Sequence, residues 1–280
     1  MRIIAGGVRG TRVVADAAFM RFGGDTTAFL VEGSGGEVIL VDAGSGLRAF
    51  EPYFRRTPRR DILLLMTHYH LDHVLGLPTF PLLHGAKWSL EIAAPILNDV
   101  AVKDSLPHVM ANPFWPVPLS TVEASVNFAT LSRTDACTRG SIAYRWCRVH
   151  HPGQCAAYRF DEADSGASVV IATDIEWDPS TAAEKEDFVR LCSWPRPADV
   201  LIFDGQFAPE RYERHRGWGH SRWTDGVDAA RLAGVGRLLI THHAPDRDDS
   251  SLDAVEQELK TQMPEAALLR QGGVVDLPPE

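Results

Sequence analysis

The sequence predicts an α/β fold with its functional residues gathered along one edge of the sheet structure. Two observations carry that expectation. Short apolar, β-branched runs alternate with segments of helical periodicity, the first reading as buried strands and the second as covering helices. Six of the runs deliver Asp or His at their C-terminal ends: "EVILV" leads to Asp42, "DILLLMT" to His68, "IAYRWCRV" to His150 and His151, "SVVIAT" to Asp174, "DVLIF" to Asp204, and "RLLIT" to His242 and His243. The C-terminal edge of a sheet is where α/β folds place ligands.

The elements follow in order. Through about residue 40 the chain reads as strands and turns, with "RFGGDTTAFLVEGSGGEVILVD" forming two strands joined by a Gly-rich turn. Next comes the apolar run that ends in "THYHLDH" at 67–73. Residues 77–120 contain "GLPTFPLLHGAKW" and "MANPFWPVPL", rich in Pro and aromatics and too irregular for core strands. They predict a lid-like insertion in which Phe114 and Trp115 would line a substrate, with a packed surface excursion as the alternative. Helices are expected over 181–192, over 224–236 with a Gly stop, and over 249–263 behind a capping Asp or Ser.

Bulk properties narrow the function. A chain of 280 residues is read here as one domain. A formal net charge of −9 makes attraction to a long nucleic-acid backbone an unfavoured expectation, and the basic run "FRRTPRR" (54–60) reads as a solvated loop or helix end. Four cysteines without C-x-x-C spacing argue against a disulfide framework or a Cys-only zinc site. The N-terminus lacks an apolar signal core and no window approaches a membrane span, so a cytoplasmic protein is expected.

"HYHLDH" carries the chemistry. His68 and His70 are two apart and point the same way in an extended segment, whereas Asp72 and His73 are adjacent and fall in a turn or first helical turn. Two pairs aimed at two neighbouring ions fit better than four ligands on one, and the other strand ends can supply the remaining ligands. Burying so many polar groups without partners would cost too much for a purely structural role. His84, His108 and His215 have no such company and read as ordinary histidines.

"THYHLDH" resembles the H-x-H-x-D-H signature of the metallo-β-lactamase fold superfamily. "VDAGSG", "HHPG", "IATDIE" and "THHAP" resemble its other motifs in order over nearly the whole chain. The resemblance implies a four-layer αβ/βα sandwich, two mixed β-sheets flanked by helices. It also implies two divalent metal ions, zinc expected with manganese or iron as alternatives. His68, His70 and His151 would hold one ion, Asp72, His73 and His242 the other, with Asp174 bridging. His151 is preferred to His150 because it precedes the Pro-Gly turn, and His242 to His243 because it follows Thr241. His243 is then a candidate substrate contact, and Asp42 orients a ligand histidine. "GWGHSRWTDGVDAARLAGVGRLLITHH" (217–243) resembles the phosphodiesterase and ribonuclease Z-like branch. There His220 would be the proton donor supported by Asp204, and Asp72 is counted with them among the catalytic residues. The implied activity is hydrolysis of a small or cyclic nucleotide-like phosphodiester by water activated between the ions. The alternatives are a lactone or thioester hydrolase and, less favoured without a basic Gly-rich arm, a tRNA 3′-processing endonuclease. A homodimer is an expectation of the resemblance alone.

Overall fold

The computed structural model describes residues 1–132 and 136–277. Among these residues, fourteen strands form two sheets of seven. The first contains β1 (Arg2–Gly7), β2 (Ala28–Glu32), β3 (Val38–Val41), β4 (Asp61–Leu65), β5 (Ser89–Ala94) and β6 (Ser125–Thr130). The second contains β7 (Cys137–Arg139), β8 (Ile142–Val149), β9 (Cys155–Glu162), β10 (Ser168–Ala172), β11 (Val200–Asp204), β12 (Arg237–Thr241) and β13 (Ala267–Leu268). The last strand, β14 (Val274–Asp276), returns to pair with β1. The sheet orders are β14-β1-β2-β3-β4-β5-β6 and β13-β12-β11-β10-β9-β8-β7. Each sheet begins with antiparallel pairs and continues, from β3 and from β10, with parallel ones. The helices are α1 (Glu51–Arg56), α2 (Leu71–Val74), α3 (Val102–Ser105), α4 (Ala182–Ser193), α5 (Pro209–Tyr212), α6 (Trp223–Ala233) and α7 (Asp249–Gln262).

Strands β3, β10 and β11 are buried at every position, which is why their sequences are apolar throughout rather than alternating. Alternate side chains still separate the faces. Ile39, Val41, Leu63 and Leu65 of the first sheet meet Tyr158, Phe160, Val169, Ile171 and Ile202 of the second in a core between the sheets. Leu40, Leu64 and Ile92 face outward under Phe50, Phe54, Leu106 and Met110. Val170, Leu201 and Phe203 face outward under Phe188 of α4, Val227 of α6 and Leu252 of α7. The result is the expected sandwich of helix, sheet, sheet and helix. The three expected helices form. Thr181 and Glu184 close a capping box on α4, Gly234 ends α6 at φ +71°, and the Asp248 side chain caps α7.

One expectation is overturned. The segment 77–120 was predicted to hold no core strand, but Ser89–Ala94 is β5, hydrogen-bonded between β4 and β6. Its Pro and aromatic residues make short 3₁₀ turns, Leu77–Thr79, Pro81–His84 and Leu106–Met110, which break the regular periodicity without breaking burial. Leu83, Leu106 and Met110 are fully buried, so much of this segment is the outer cover of the first sheet.

The parallel strands aim their C-terminal ends at one edge. There Ala156 N–H donates to Thr67 O at 2.9 Å, and Tyr158 Oη donates to Met66 O at 2.7 Å, tying the two halves together beside the histidine turn. The chain leaves that edge after β3 and returns to it along β4, so "FRRTPRR", just before β4, lies at the opposite end of these strands.

Candidate metal centre

The first half of the site is one turn. β4 ends at Leu65, His70 is extended at φ −64° and ψ 153°, and α2 opens at Leu71. His68 and His70 therefore precede the helix, while Asp72 and His73 lie in its first turn. Buried Asp42 anchors the arrangement. Its carboxylate accepts from Thr67 N–H at 2.8 Å and Thr67 Oγ1 at 2.8 Å, and lies 2.7 Å from His73 Nδ1. The carboxylate fixes the proton of His73 on Nδ1 and leaves the Nε2 lone pair to the cluster. Thr67 Oγ1, having donated to Asp42, accepts from His68 Nδ1 at 3.1 Å, so one carboxylate orients two rings.

The second half comes from separate strand ends. His151 Nδ1 donates to Gly219 O at 2.8 Å, and its Nε2 meets His70 Nδ1 at 3.1 Å. Asp174 Oδ2 lies 3.1 Å from His73 Nε2, and its Oδ1 lies 3.4 Å from His242 Nε2 and 3.8 Å from His68 Nε2. Asp72 Oδ2 lies 3.5 Å from His73 Nε2 and 3.4 Å from His242 Nε2, and accepts from Thr11 N–H at 2.7 Å. His220 Nδ1 bonds Asp204 Oδ2 at 2.8 Å, and its ring stacks on His242 at 4.7 Å.

These residues fit divalent cations. Their donor atoms fall into the groups His68–His70–His151 and Asp72–His73–His242, with Asp174 joining His68 and His73, all within 4.8 Å in each group. Among the described residues, His68 Nε2, His73 Nε2, His242 Nε2 and Asp174 Oδ2 are buried without a hydrogen-bond partner. The two rings with committed Nδ1 atoms present lone pairs toward carboxylate oxygens, an arrangement that is repulsive unless positive charge lies between them. The electrostatics agree. Burial alone would lower His73 and His242, but Asp174 and Asp72 hold His73 well above the ordinary histidine value and His242 at about 9. Burial prevails at His68 and His70, and lowers His151 to about 4. In the absence of an ion, protons supply positive charge at His73 and His242; a bound metal would displace them, because imidazole binds metal in its neutral form. Cys155 Sγ lies 3.7 Å from His68 Nδ1, the side away from Nε2, and stands outside the donor groups; burial keeps its thiol well above the usual range. None of the four cysteines forms a disulfide among the described residues.

Not every expected residue reaches the cluster. His243 is corrected as a substrate contact: its Nε2 donates to Leu269 O at 2.8 Å and its ring meets Phe22 edge-on at 5.7 Å, on the buried side away from His242. Burial lowers it to about 3, so it is neutral there. His150 also turns outward, with Nδ1 3.6 Å from Glu184 Oε2. Trp115 packs against the outer core of the first sheet, and Phe114 is 82% exposed.

The structure adds residues that the sequence analysis missed. Glu176, fully buried, accepts from Tyr212 Oη at 2.8 Å, Gly217 N–H at 2.6 Å and Gly219 N–H at 2.8 Å. It thereby holds the loop whose Gly219 carbonyl orients His151. Gly219 adopts φ +92°, and a Cβ there would lie 2.4 Å from both His151 Nδ1 and Pro152 Cδ, so glycine is required. The two glycines around Trp218 in "GWGH" were the available signal.

Comparison with known proteins agrees with this geometry. A family model described as a β-lactamase superfamily domain matches residues 37–243. A relative named ribonuclease BN from Enterobacter sp. (strain 638) is 24% identical over 82% of this chain and 86% of its own length. The metallo-β-lactamase fold protein YhfI from Bacillus subtilis superposes with a TM-score of 0.70 at 20% identity, over 98% of each chain. A diphosphatase from the PhnP family superposes with a TM-score of 0.70 at 18% identity, over 99% of this chain and 97% of its own. With a matched fold, a matched sequence domain and a His/Asp cluster suited to divalent ions, this chain belongs to the metallo-β-lactamase fold superfamily and is a metal-dependent hydrolase.

Proposed function

We propose that the protein is a phosphodiesterase acting on a small or cyclic nucleotide-like diester. The observation that carries this reading is the His220–Asp204 pair. It stands among the metal-type groups, and its Nδ1 is committed to a buried carboxylate, so the ring is held in one orientation and its Nε2, when it carries a proton, is the atom that would deliver it. A departing ribose or alkyl oxygen needs that proton.

His68, His70 and His151 would hold one divalent ion, and Asp72, His73 and His242 the second, with Asp174 shared; zinc is the metal we favour. When bound, the ions supply a nucleophilic water at neutral pH and positive charge for the phosphoryl oxygens. The chain supplies the rest. Asp42 and Thr67 fix the rings of His73 and His68, Gly219 fixes His151, and Asp204 holds the His220 imidazole in place.

A second reading, processing of tRNA 3′ ends, is favoured by the relatives named ribonuclease BN and ribonuclease Z. The basic run at the far end of the strands gives it no support. The deciding experiment assays metal-loaded protein on bis(p-nitrophenyl) phosphate, 2′,3′-cyclic adenosine monophosphate, an acyl-lactone, a thioester and a precursor tRNA. Turnover of the diesters with little of the lactone or thioester is expected. Preference for either ester would replace the reading, and cleavage confined to precursor tRNA would favour the second. His220→Ala should retain its metals and lose about a hundred- to ten-thousand-fold in kcat on the cyclic nucleotide. On the nitrophenyl diester the loss should be small, since nitrophenolate departs without a proton. Loss of metal in this variant would remove His220 from the donor role.

A further inference from the structure

We propose that the surface formed by Trp218 and His215 beside His220 is a subsite for a planar aromatic heterocycle, the nucleobase carried by the leaving side of the substrate. The inference rests on the phosphodiesterase reading for the word "leaving", but the subsite is argued from its own contacts.

Trp218 is 63% exposed, although tryptophan is highly buried on average. It is not loosely placed. The flanking N–H groups of Gly217 and Gly219 both donate to the buried carboxylate of Glu176, and Trp218 N–H donates to His215 O at 3.0 Å. The loop is thus pinned from beneath on both sides of the ring it presents. The ring continues an aromatic series leading to the proton donor. Trp218 meets His215 edge-on at 4.9 Å, His215 stacks on Phe207 at 4.5 Å, and Phe207 meets the edge of His220 at 6.1 Å.

A second exposed apolar side chain borders the cluster. Leu71, 74% exposed, follows His70 directly, and Gly219 follows Trp218 directly. His70 and Gly219 are bridged by His151, through contacts of 3.1 and 2.8 Å. Leu71 and Trp218 therefore each stand one residue from opposite ends of the same short bridge. An exposed indole at the outer end of an aromatic series that leads to the proton donor suits a flat ring that stacks on it. Every base offers a π-face, so such a site accepts nucleobases without reading sequence.

The test compares 2′,3′-cyclic adenosine monophosphate with glycerol 1,2-cyclic phosphate, which share the reacting five-membered ring and differ in the base-bearing sugar. Adenosine serves as a binding probe that needs no catalysis, followed by calorimetry on the metal-loaded protein. Wild type should prefer the adenosine ester, and Trp218→Ala should cut that preference by about tenfold or more, chiefly through KM, and weaken adenosine binding by a similar factor. Trp218→Phe, which keeps a ring, should retain most of both. Failure of wild type to bind adenosine, or equal affinity in wild type and Trp218→Ala, would overturn the subsite. If neither cyclic ester is hydrolysed, the phosphodiesterase reading falls, while adenosine binding still decides the subsite.

Discussion

The two halves of the molecule build the same sheet pattern and furnish the site in opposite ways. The first half packs His68, His70, Asp72 and His73 into one turn between β4 and α2. The second half sends single residues from separate places: His151 after β8, Asp174 after β10, Asp204 at the end of β11, His220 before α6 and His242 after β12. The concentrated half holds its shape locally, through Asp42 and Thr67. The dispersed half depends on loops that other residues must hold, chiefly Glu176 under the 217–219 loop and the pairing of His243 with Val8 and Gly10. The difference teaches where the site is fragile: a cluster residue in the turn has neighbours that compensate, and one on a strand end does not.

The largest effect should follow removal of the dispersed residue that touches both metal groups. Asp174 faces His68, His73 and His242, so Asp174→Ala should reduce metal content from about two ions per chain toward none and abolish turnover. His70→Ala, in the concentrated half, should weaken one ion and leave the other. The Tm of Asp174→Ala in metal-replete buffer should match that of chelator-treated wild type, because bound metal stabilises the folded state by mass action. Equal metal losses in the two variants would erase the contrast between the halves.

A smaller effect is expected one shell further out. Glu176→Gln keeps the shape of the side chain but presents an amide N–H₂ to at least one backbone N–H, so the 217–219 loop must shift. Gly219 O then no longer holds His151 at its present angle. Metal affinity or kcat should fall roughly 10- to 100-fold, the range for residues that orient ligands. A metal titration that matches wild type, together with an unchanged kcat, would show that the loop keeps its position without the carboxylate.

The same contrast governs what could be read from the sequence. The turn was legible as a metal-type cluster because four ligand-type residues in six positions at the end of an apolar run seldom gather for packing alone, and the structure does bring them together. The dispersed residues were legible only through the motifs around them. Glu176 and Trp218 were not: a carboxylate that binds backbone N–H groups has no partner residue type to search for, and an exposed tryptophan in a Gly-rich loop has no period. Strand β5 was missed for the converse reason. "WSLEIAA" is an ordinary buried strand, but the Pro-rich turns on either side hid it within an apparently irregular stretch. His243 was misjudged because adjacency to His242 places it near the cluster in sequence, whereas the backbone at His242, at φ +60°, turns the next side chain into the core.

The two His–His pairs give the finest test, because in each pair one residue enters the cluster and its neighbour does not. His243→Ala removes a packed ring and its bond to Leu269 O, so stability should fall by about 2–3 kcal/mol. Metal stoichiometry should hold, since the backbone pairing that carries His242 remains. His150→Ala should be the quietest change of all. Residues 150 and 151 follow β8 with side chains on opposite sides. His150 is half-exposed and meets the carboxylate of Glu184, which keeps its capping bonds to Thr181 without it. The expected change in stability is within about 0.5 kcal/mol, with both ions and kcat retained. His151→Ala, one residue on, should lose the ion shared with His68 and His70. If His150→Ala lost metal instead, the strand would have to present its other face to the cluster, and the Gly219 carbonyl would be holding the wrong ring.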